Sequence, residues 1–227
     1  MKKHSIILSM ILMLMIAVPA TAITVPGTSD PWLAGMPPGS FDNPGTPEPA
    51  DFAPAYSPIE VAGITITSGA ELQWTATGEV GHPGDIAGPD GALSVLTTHL
   101  IGARYGISNI TAPIDSLLGV FLGPGQPDLS PAPGQLDFSS AASRDYLILT
   151  PALQQVFFMG DGTSSSGAQT IVAPAGATRL YLGTMDGYGW ANNIGEFAVT
   201  MTAVPEPTTM LLLGLGLIGL AGIRRKI

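Results

Sequence analysis

The chain has 227 residues, which suffices for one domain of ordinary size together with additional segments. It contains no cysteine, so disulfides, thiolate metal sites and a cysteine nucleophile are all excluded. Lys and Arg number 8 against 17 Asp and Glu, which gives a formal net charge of −9. Nucleic acid is therefore excluded as a partner, because its recognition needs a basic face that neutralises phosphates.

The N-terminus has the three parts of a secretory signal peptide. Lys2 and Lys3 supply the positive charge, residues 5–18 form an apolar run, and Ala-Thr-Ala at 20–22 fits the small-x-small cleavage rule. A membrane helix is the alternative, but the 14 apolar residues would span only ~21 Å of a ~30 Å hydrocarbon core. We therefore predict a signal peptide over residues 1–22.

Residues 23–58 are rich in proline, glycine, serine and threonine. Proline interrupts helices and lacks the N–H group that a central strand needs. The composition predicts an extended linker without a core of its own. Trp32 and Phe41 could dock this linker on the neighbouring folded domain.

From residue 59 onward, short runs with β-strand character alternate with turn signals rich in Gly, Pro, Asp and Asn. Segment 93–105 is ambiguous between strand and short helix, and 140–155 could hold a turn or two of helix. Half-buried strands must cover one face with a second sheet, so residues 59–203 are predicted as an all-β domain, a β-sandwich. The predicted strands are 61–66, 72–76, 117–122, 156–159, 170–172, 179–185 and 197–201.

A loop rich in oxygen atoms connects the last two predicted strands, which could pair as a hairpin. It carries one carboxylate, Asp186, and two adjacent amides, Asn192 and Asn193. Calcium takes six to eight oxygen ligands of these types, and glycines let backbone carbonyls converge on the ion. The alternative is an ordinary turn, since Asn, Asp and Gly are also the residues that turns favour.

Two aromatic side chains of this loop, Tyr188 and Trp190, could stack against the apolar face of a sugar. The alternative for Trp190 is a position folded back into the core. Recognised motifs for catalysis are missing from the sequence: it has no Gly-x-Ser-x-Gly elbow and no Walker loop, and His82 and His99 are too few for a zinc site. We predict no enzymatic activity, although paired carboxylates of a glycosidase have no fixed sequence spacing.

The C-terminus combines a Pro-Glu-Pro triplet, an apolar stretch over 210–223 that is marginal in length for a membrane span, and a basic cluster. This order, over residues 204–227, resembles the PEP-CTERM sorting signal of exported bacterial proteins. The resemblance implies a transmembrane helix that holds the precursor in the inner membrane, with its basic end in the cytoplasm. It also implies processing by an exosortase and a final location at the cell surface or outside the cell. The sorting residues are Pro205, Glu206, Pro207, Arg224, Arg225 and Lys226.

The segment RLYLGTMDGYGWANNIGEFAVTM at 179–201 resembles a bacterial calcium-dependent galactose-binding lectin family, with weaker similarity over the rest of 60–203. The fold of that family is a small jelly-roll-like β-sandwich. By position, the resemblance implies one calcium ion. Its protein ligands would be the side chains of Asp186, Asn192 and Asn193 and the backbone carbonyl of His82. Sugar contacts would come from Tyr188, Trp190 and, on a facing turn, Asp90.

These features together predict an exported, non-catalytic surface or extracellular-matrix protein that binds carbohydrate or exopolysaccharide through calcium. Charged residues make up only 11% of the chain, which disfavours a catalytic centre built from ionisable groups. A purely structural matrix protein without a ligand is the nearest alternative. A secreted polysaccharide hydrolase is a more remote one.

Overall fold

The computed structural model describes residues 20–42, 45, 50–205, 214 and 216. Residues 1–19 of the predicted signal peptide and most of the predicted sorting helix lie outside them. Within the described part of the chain, no helix has the length and apolar character that crossing a membrane requires. Strands dominate the remainder, so the prediction of an all-β fold is confirmed.

In the described residues of 20–205, most of the strands are short and helical structure is confined to single turns. The α-helix α1 is Ala141–Arg144, which confirms a turn of helix within 140–155. Three 3-10 turns occupy Pro31–Leu33, Pro127–Leu129 and Trp190–Asn192. The strands are β1 Ala20–Pro26, β2 Phe41–Asp42, β3 Asp51–Phe52, β4 Ile59–Glu60, β5 Glu71–His82, β6 Asp85–Ala87, β7 Ala92–Thr98, β8 Ile110–Ile114, β9 Leu117–Leu122, β10 Leu136–Asp137, β11 Ile148–Leu149, β12 Val156–Phe158, β13 Thr163–Ser164, β14 Gly167–Ala168, β15 Thr170–Val172, β16 Arg179–Thr184 and β17 Ile194–Ala203.

The largest sheet has the strand order β1-β17-β5-β15-β11, and β6 pairs with the end of β5. Its centre is the antiparallel pair β5 and β17, in register from Ile194 opposite Gly81 to Ala203 opposite Leu72. Along β17, Phe197, Val199 and Met201 are buried, whereas the residues between them are exposed. This period of two is what a strand with one covered face requires.

A second sheet has the order β12-β9-β16-β4, and β10, β8 and β7 form a third, smaller one. Every residue of β9 is buried, so this strand is covered on both faces and is apolar throughout except for Gly119. One hydrophobic cluster takes in inward residues of both larger sheets, with Phe121, Phe157 and Phe197 among its largest buried side chains.

The N-terminal segment is part of the folded domain, so the prediction of a linker over 23–58 is wrong for its described residues. β1 pairs with β17 along its whole length. Trp32 is fully buried and donates its indole N–H to the carbonyl of Ser108 at 3.0 Å. Prolines are tolerated because β1 is an edge strand whose proline comes at its end. The docking expected of Trp32 is confirmed, whereas Phe41 is half exposed.

One predicted strand pairing and one predicted strand differ from the structure. β16 and β17 do not form a hairpin, because β16 pairs with β9 and β4, whereas β17 pairs with β1 and β5. The chain therefore passes from one sheet to the other through the loop between them. The predicted strand at 61–66 is also wrong, since β4 ends at Glu60. The ambiguous segment 93–105 contains β7 rather than a helix.

Candidate functional site

The N-terminal segment makes hydrogen bonds to the loop between β16 and β17. Gly189 precedes its 3-10 turn in the left-handed region, with φ 78°, which a residue without a Cβ adopts at little cost. The carboxylate of Asp51 accepts hydrogen bonds from the backbone N–H of Trp190 at 3.1 Å and of Ala191 at 2.8 Å. Asp51 thus caps the turn from a distant part of the chain, and burial raises its pKa to about 6.

Asp186 is the central polar residue of this loop and is only 4% exposed. One carboxylate oxygen accepts the N–H of Gly187 at 2.6 Å, and the other accepts the side-chain amide of Asn193 at 3.0 Å. Burial raises the pKa of Asp186, while these hydrogen bonds oppose the rise. The amide of Asn193 also donates to the carbonyl of Gly27, so it connects the loop to the end of β1.

A cavity of about 200 Å³ opens beside Asp186. The imidazole Nε2 of His82 lies 3.9 Å from a carboxylate oxygen of Asp186, and Asn192 lines the same space. Tyr188 also lines it and is 41% exposed. The structure therefore brings together four of the residues that the sequence singled out, with Asn193 directly behind them.

Asp115 is a further acid of this region that sequence reasoning missed. It lies in the turn between β8 and β9, is buried, and has the positive φ of 67°. Burial, and next the charge of Asp186, raise its pKa to about 6. Its Oδ1 atom has no hydrogen-bond partner among the described residues. The sequence could have singled out Asp115, because it is an acid between two apolar runs, where charged residues are rare.

The donor set around Asp186 suits a weak oxygen-ligated cation rather than a tight one. No cluster of three or more His, Asp or Glu with metal-binding geometry occurs among the described residues. The side-chain oxygen of Asn193 is buried and without a partner in the same part of the chain, as is that of Asp115. Orphaned acceptors of this kind gain from a positive charge, and calcium accepts neutral oxygens beside a carboxylate.

Two residues that were predicted to contact sugar lie elsewhere. Trp190 is 1% exposed, its indole N–H donates to the carbonyl of Thr184 at 3.0 Å, and its ring packs beside Trp32. It is therefore a core residue, as the alternative interpretation held. Asp90 does not line the cavity beside Asp186. It accepts the N–H of Asp161 at 3.1 Å and borders a separate cavity of about 190 Å³ with Arg144.

A second group of buried ionisable residues joins the N-terminal segment to the loop after β7. The imidazole Nε2 of His99 lies 2.7 Å from a carboxylate oxygen of Asp42, and Nδ1 lies 2.7 Å from the carbonyl of Gly102. The His99 ring stacks on Trp32 at 4.0 Å. Burial, followed by the charge of Asp42, raises the pKa of nearby Asp30 well above its ordinary value. The segment is thus held by buried polar contacts as well as by apolar packing.

Comparison with known proteins identifies the C-terminal segment. A PEP-CTERM protein-sorting motif matches residues 203–226, which confirms the sorting signal predicted there. The chain is therefore an exported protein that an exosortase sorts, by way of a membrane-anchored precursor. No curated protein matches the chain.

Proposed function

We propose that the domain is a non-catalytic surface or matrix module that binds carbohydrate through one weakly held calcium ion beside Asp186. The observation that carries this proposal is the cavity lined by Asp186, Asn192 and His82. Asn193, which donates to Asp186, has a buried side-chain oxygen without a partner among the described residues. Asp186 and Asn192 would hold the ion, together with backbone carbonyls such as that of His82. Calcium supplies an electrophile to which sugar hydroxyls can coordinate.

The electrostatics of the cavity support a cation more than a neutral ligand. Burial, and next the negative charge of Asp186, raise the pKa of Asp115, so a second carboxylate lies close enough to Asp186 to be repelled by it. A divalent cation would relieve that repulsion. The exposed ring of Tyr188 offers the apolar face on which a sugar could stack.

A purely structural matrix protein is the second candidate, and one observation favours it. Both carboxylate oxygens of Asp186 already accept hydrogen bonds from its own loop, from Gly187 and Asn193. Hydrogen bonds of this kind fix the conformation of a loop without any ligand. A jelly-roll-like β-sandwich with such a loop would then serve only as a stable building block.

Calorimetry and thermal unfolding of the full chain in detergent, with calcium or EDTA, separate these two functions. A site in which a single carboxylate ligates the ion should have a Kd for calcium near ~10⁻³ M, as weak extracellular calcium modules do. At 10 mM calcium this adds about 1.4 kcal/mol to the unfolding free energy, or ~3–6 °C in melting temperature. Asp186→Asn should abolish the heat of binding and the shift.

The matched control is Asp128→Asn, because Asp128 is an exposed acid outside the cavity. This variant should bind calcium as the parent does. If the parent shows neither a heat of binding nor a shift in melting temperature at 10 mM calcium, the loop binds no metal and the structural role is the better description. If calcium binds but a panel of oligosaccharides leaves the isotherm unchanged, the module binds metal without sugar.

A further inference from the structure

The first and last strands of the domain leave it at the same end. β1 and β17 are antiparallel neighbours, with Ala20 opposite Thr202. The sorting motif begins at residue 203, where β17 ends, and the predicted signal peptide ends at Ala22, within β1, beside it. β5 begins at this end too, since Leu72 pairs with Ala203. We name this end, made of the loops 61–70, 123–126 and 173–178, the tail end.

The connection from the tail end to the membrane is short. Six residues, 204–209, separate β17 from the apolar stretch at 210–223. Fully extended, they reach at most about 22 Å. The headgroup layer on one side of a bilayer takes ~5–8 Å of that distance. The tail end of the anchored precursor therefore stays close to the lipid headgroups.

Charge distinguishes the tail end from the rest of the domain. Its loops, 61–70, 123–126 and 173–178, contain no Asp, Glu, Lys or Arg. Glu60, Glu71 and Arg179 border these loops, so two acids and one base lie at their margins. At the other end of β5 lie the acids Asp85, Asp115 and Asp186, beside the candidate cavity. The loops of the tail end can therefore approach an anionic lipid surface without bringing the carboxylates of Asp85, Asp115 and Asp186 against it.

We infer that the tail end is a membrane-facing surface and that the anchored domain stands on the lipid headgroups. The candidate cavity, at the far end of β5, then points away from the bilayer. The 12 residues of β5 place the two ends about 36 Å apart. The partner of this surface is an anionic lipid bilayer. The inference rests on strand register and charge, and it holds whether or not the cavity binds calcium.

Energy transfer from single labelled cysteines to headgroup-labelled lipids tests this orientation, because the chain has no cysteine of its own. The sites are Ser68→Cys and Ala175→Cys at the tail end, and Pro83→Cys in the β5–β6 turn, all at exposed positions. The full chain is reconstituted in vesicles of phosphatidylcholine with phosphatidylglycerol. We expect transfer at least about twofold stronger at 68 and 175 than at 83, given the ~36 Å separation. Equal transfer at all three sites, or stronger transfer at 83, overturns the inference.

Added negative charge at the tail end tests the reason for the orientation. With the label at Ala175→Cys, the exposed substitutions Thr65→Glu and Ser68→Glu should lower transfer in anionic vesicles and leave it unchanged in phosphatidylcholine alone. The control Ile86→Glu adds one acid at the opposite end and should change transfer in neither. Unchanged transfer for the tail-end variants in anionic vesicles would show that charge does not select this surface. Melting temperatures of all variants should match the parent, since the substituted side chains are exposed.

Discussion

Replacing Asp115 by Asn should stabilise the domain at neutral pH. Asp115 is buried beside Asp186, and no described residue donates a hydrogen bond to its Oδ1. Its pKa rises from 3.8 to about 6 in the folded protein. The folded state then binds this proton more tightly than the unfolded state, so the free energy of unfolding falls as pH rises from about 4 to 6. Asn carries no charge and tolerates the left-handed backbone at this position.

The size of the effect follows from the pKa. A rise from 3.8 to about 6, at ~1.4 kcal/mol per pH unit, corresponds to ~3 kcal/mol of stability at pH 7. For a domain of this size that is roughly 6–12 °C in melting temperature. The gain should be present at pH 7 and absent at pH 4, where the parent carboxyl is protonated in the folded protein.

Thermal and urea unfolding of the parent and Asp115→Asn in EDTA, from pH 4 to pH 7.5, measure this difference. Asp128→Asn is the control, because Asp128 is exposed, and its effect should stay within about 0.5 kcal/mol at every pH. Equal stability of the parent and Asp115→Asn at pH 7, or a difference that does not change with pH, would refute the reasoning. Either result would mean that the buried carboxylate ionises without penalty.

Three other outcomes are expected. Trp190→Ala should cost about 3–5 kcal/mol in urea unfolding, because it empties a buried site and removes the hydrogen bond to Thr184. Asp42→Ala should cost about 3–5 kcal/mol by the same measurement, because it leaves His99 buried without its partner; a loss below 1 kcal/mol would show that the pair is not needed. Deleting the exosortase should leave a larger, membrane-bound form on immunoblots, and an unchanged size would indicate a permanent anchor.

The bounds of several strands were predictable from short apolar runs in the sequence. β9 and β15 coincide with the predicted 117–122 and 170–172, and β16 differs from 179–185 by one residue. The sheet to which each strand belongs was not predictable. Nearly every residue of β16 is buried, whereas β17 alternates. A loose apolar alternation in sequence cannot separate a strand covered on both faces from one covered on a single face.

The N-terminal segment shows why composition failed there. Proline-rich composition predicts a linker, but β1 needs a partner on only one side and pairs with β17, at least 170 positions away. For the site, the loop sequence was sufficient to single out Asp186 and Asn193, because they contact each other within one turn. Asp51 and Asp115 could not be associated with this loop, since long-range pairing alone brings them to it.

The place of β17 in the largest sheet sets an order for export. β17 is the last strand of the chain, yet it lies between β1, the first, and β5. Among the described pairings, β1 has no other partner. The sheet therefore cannot close until the final strand has emerged from the export channel. Because the sorting motif begins where β17 ends, completion of the fold coincides with delivery of the anchor to the membrane.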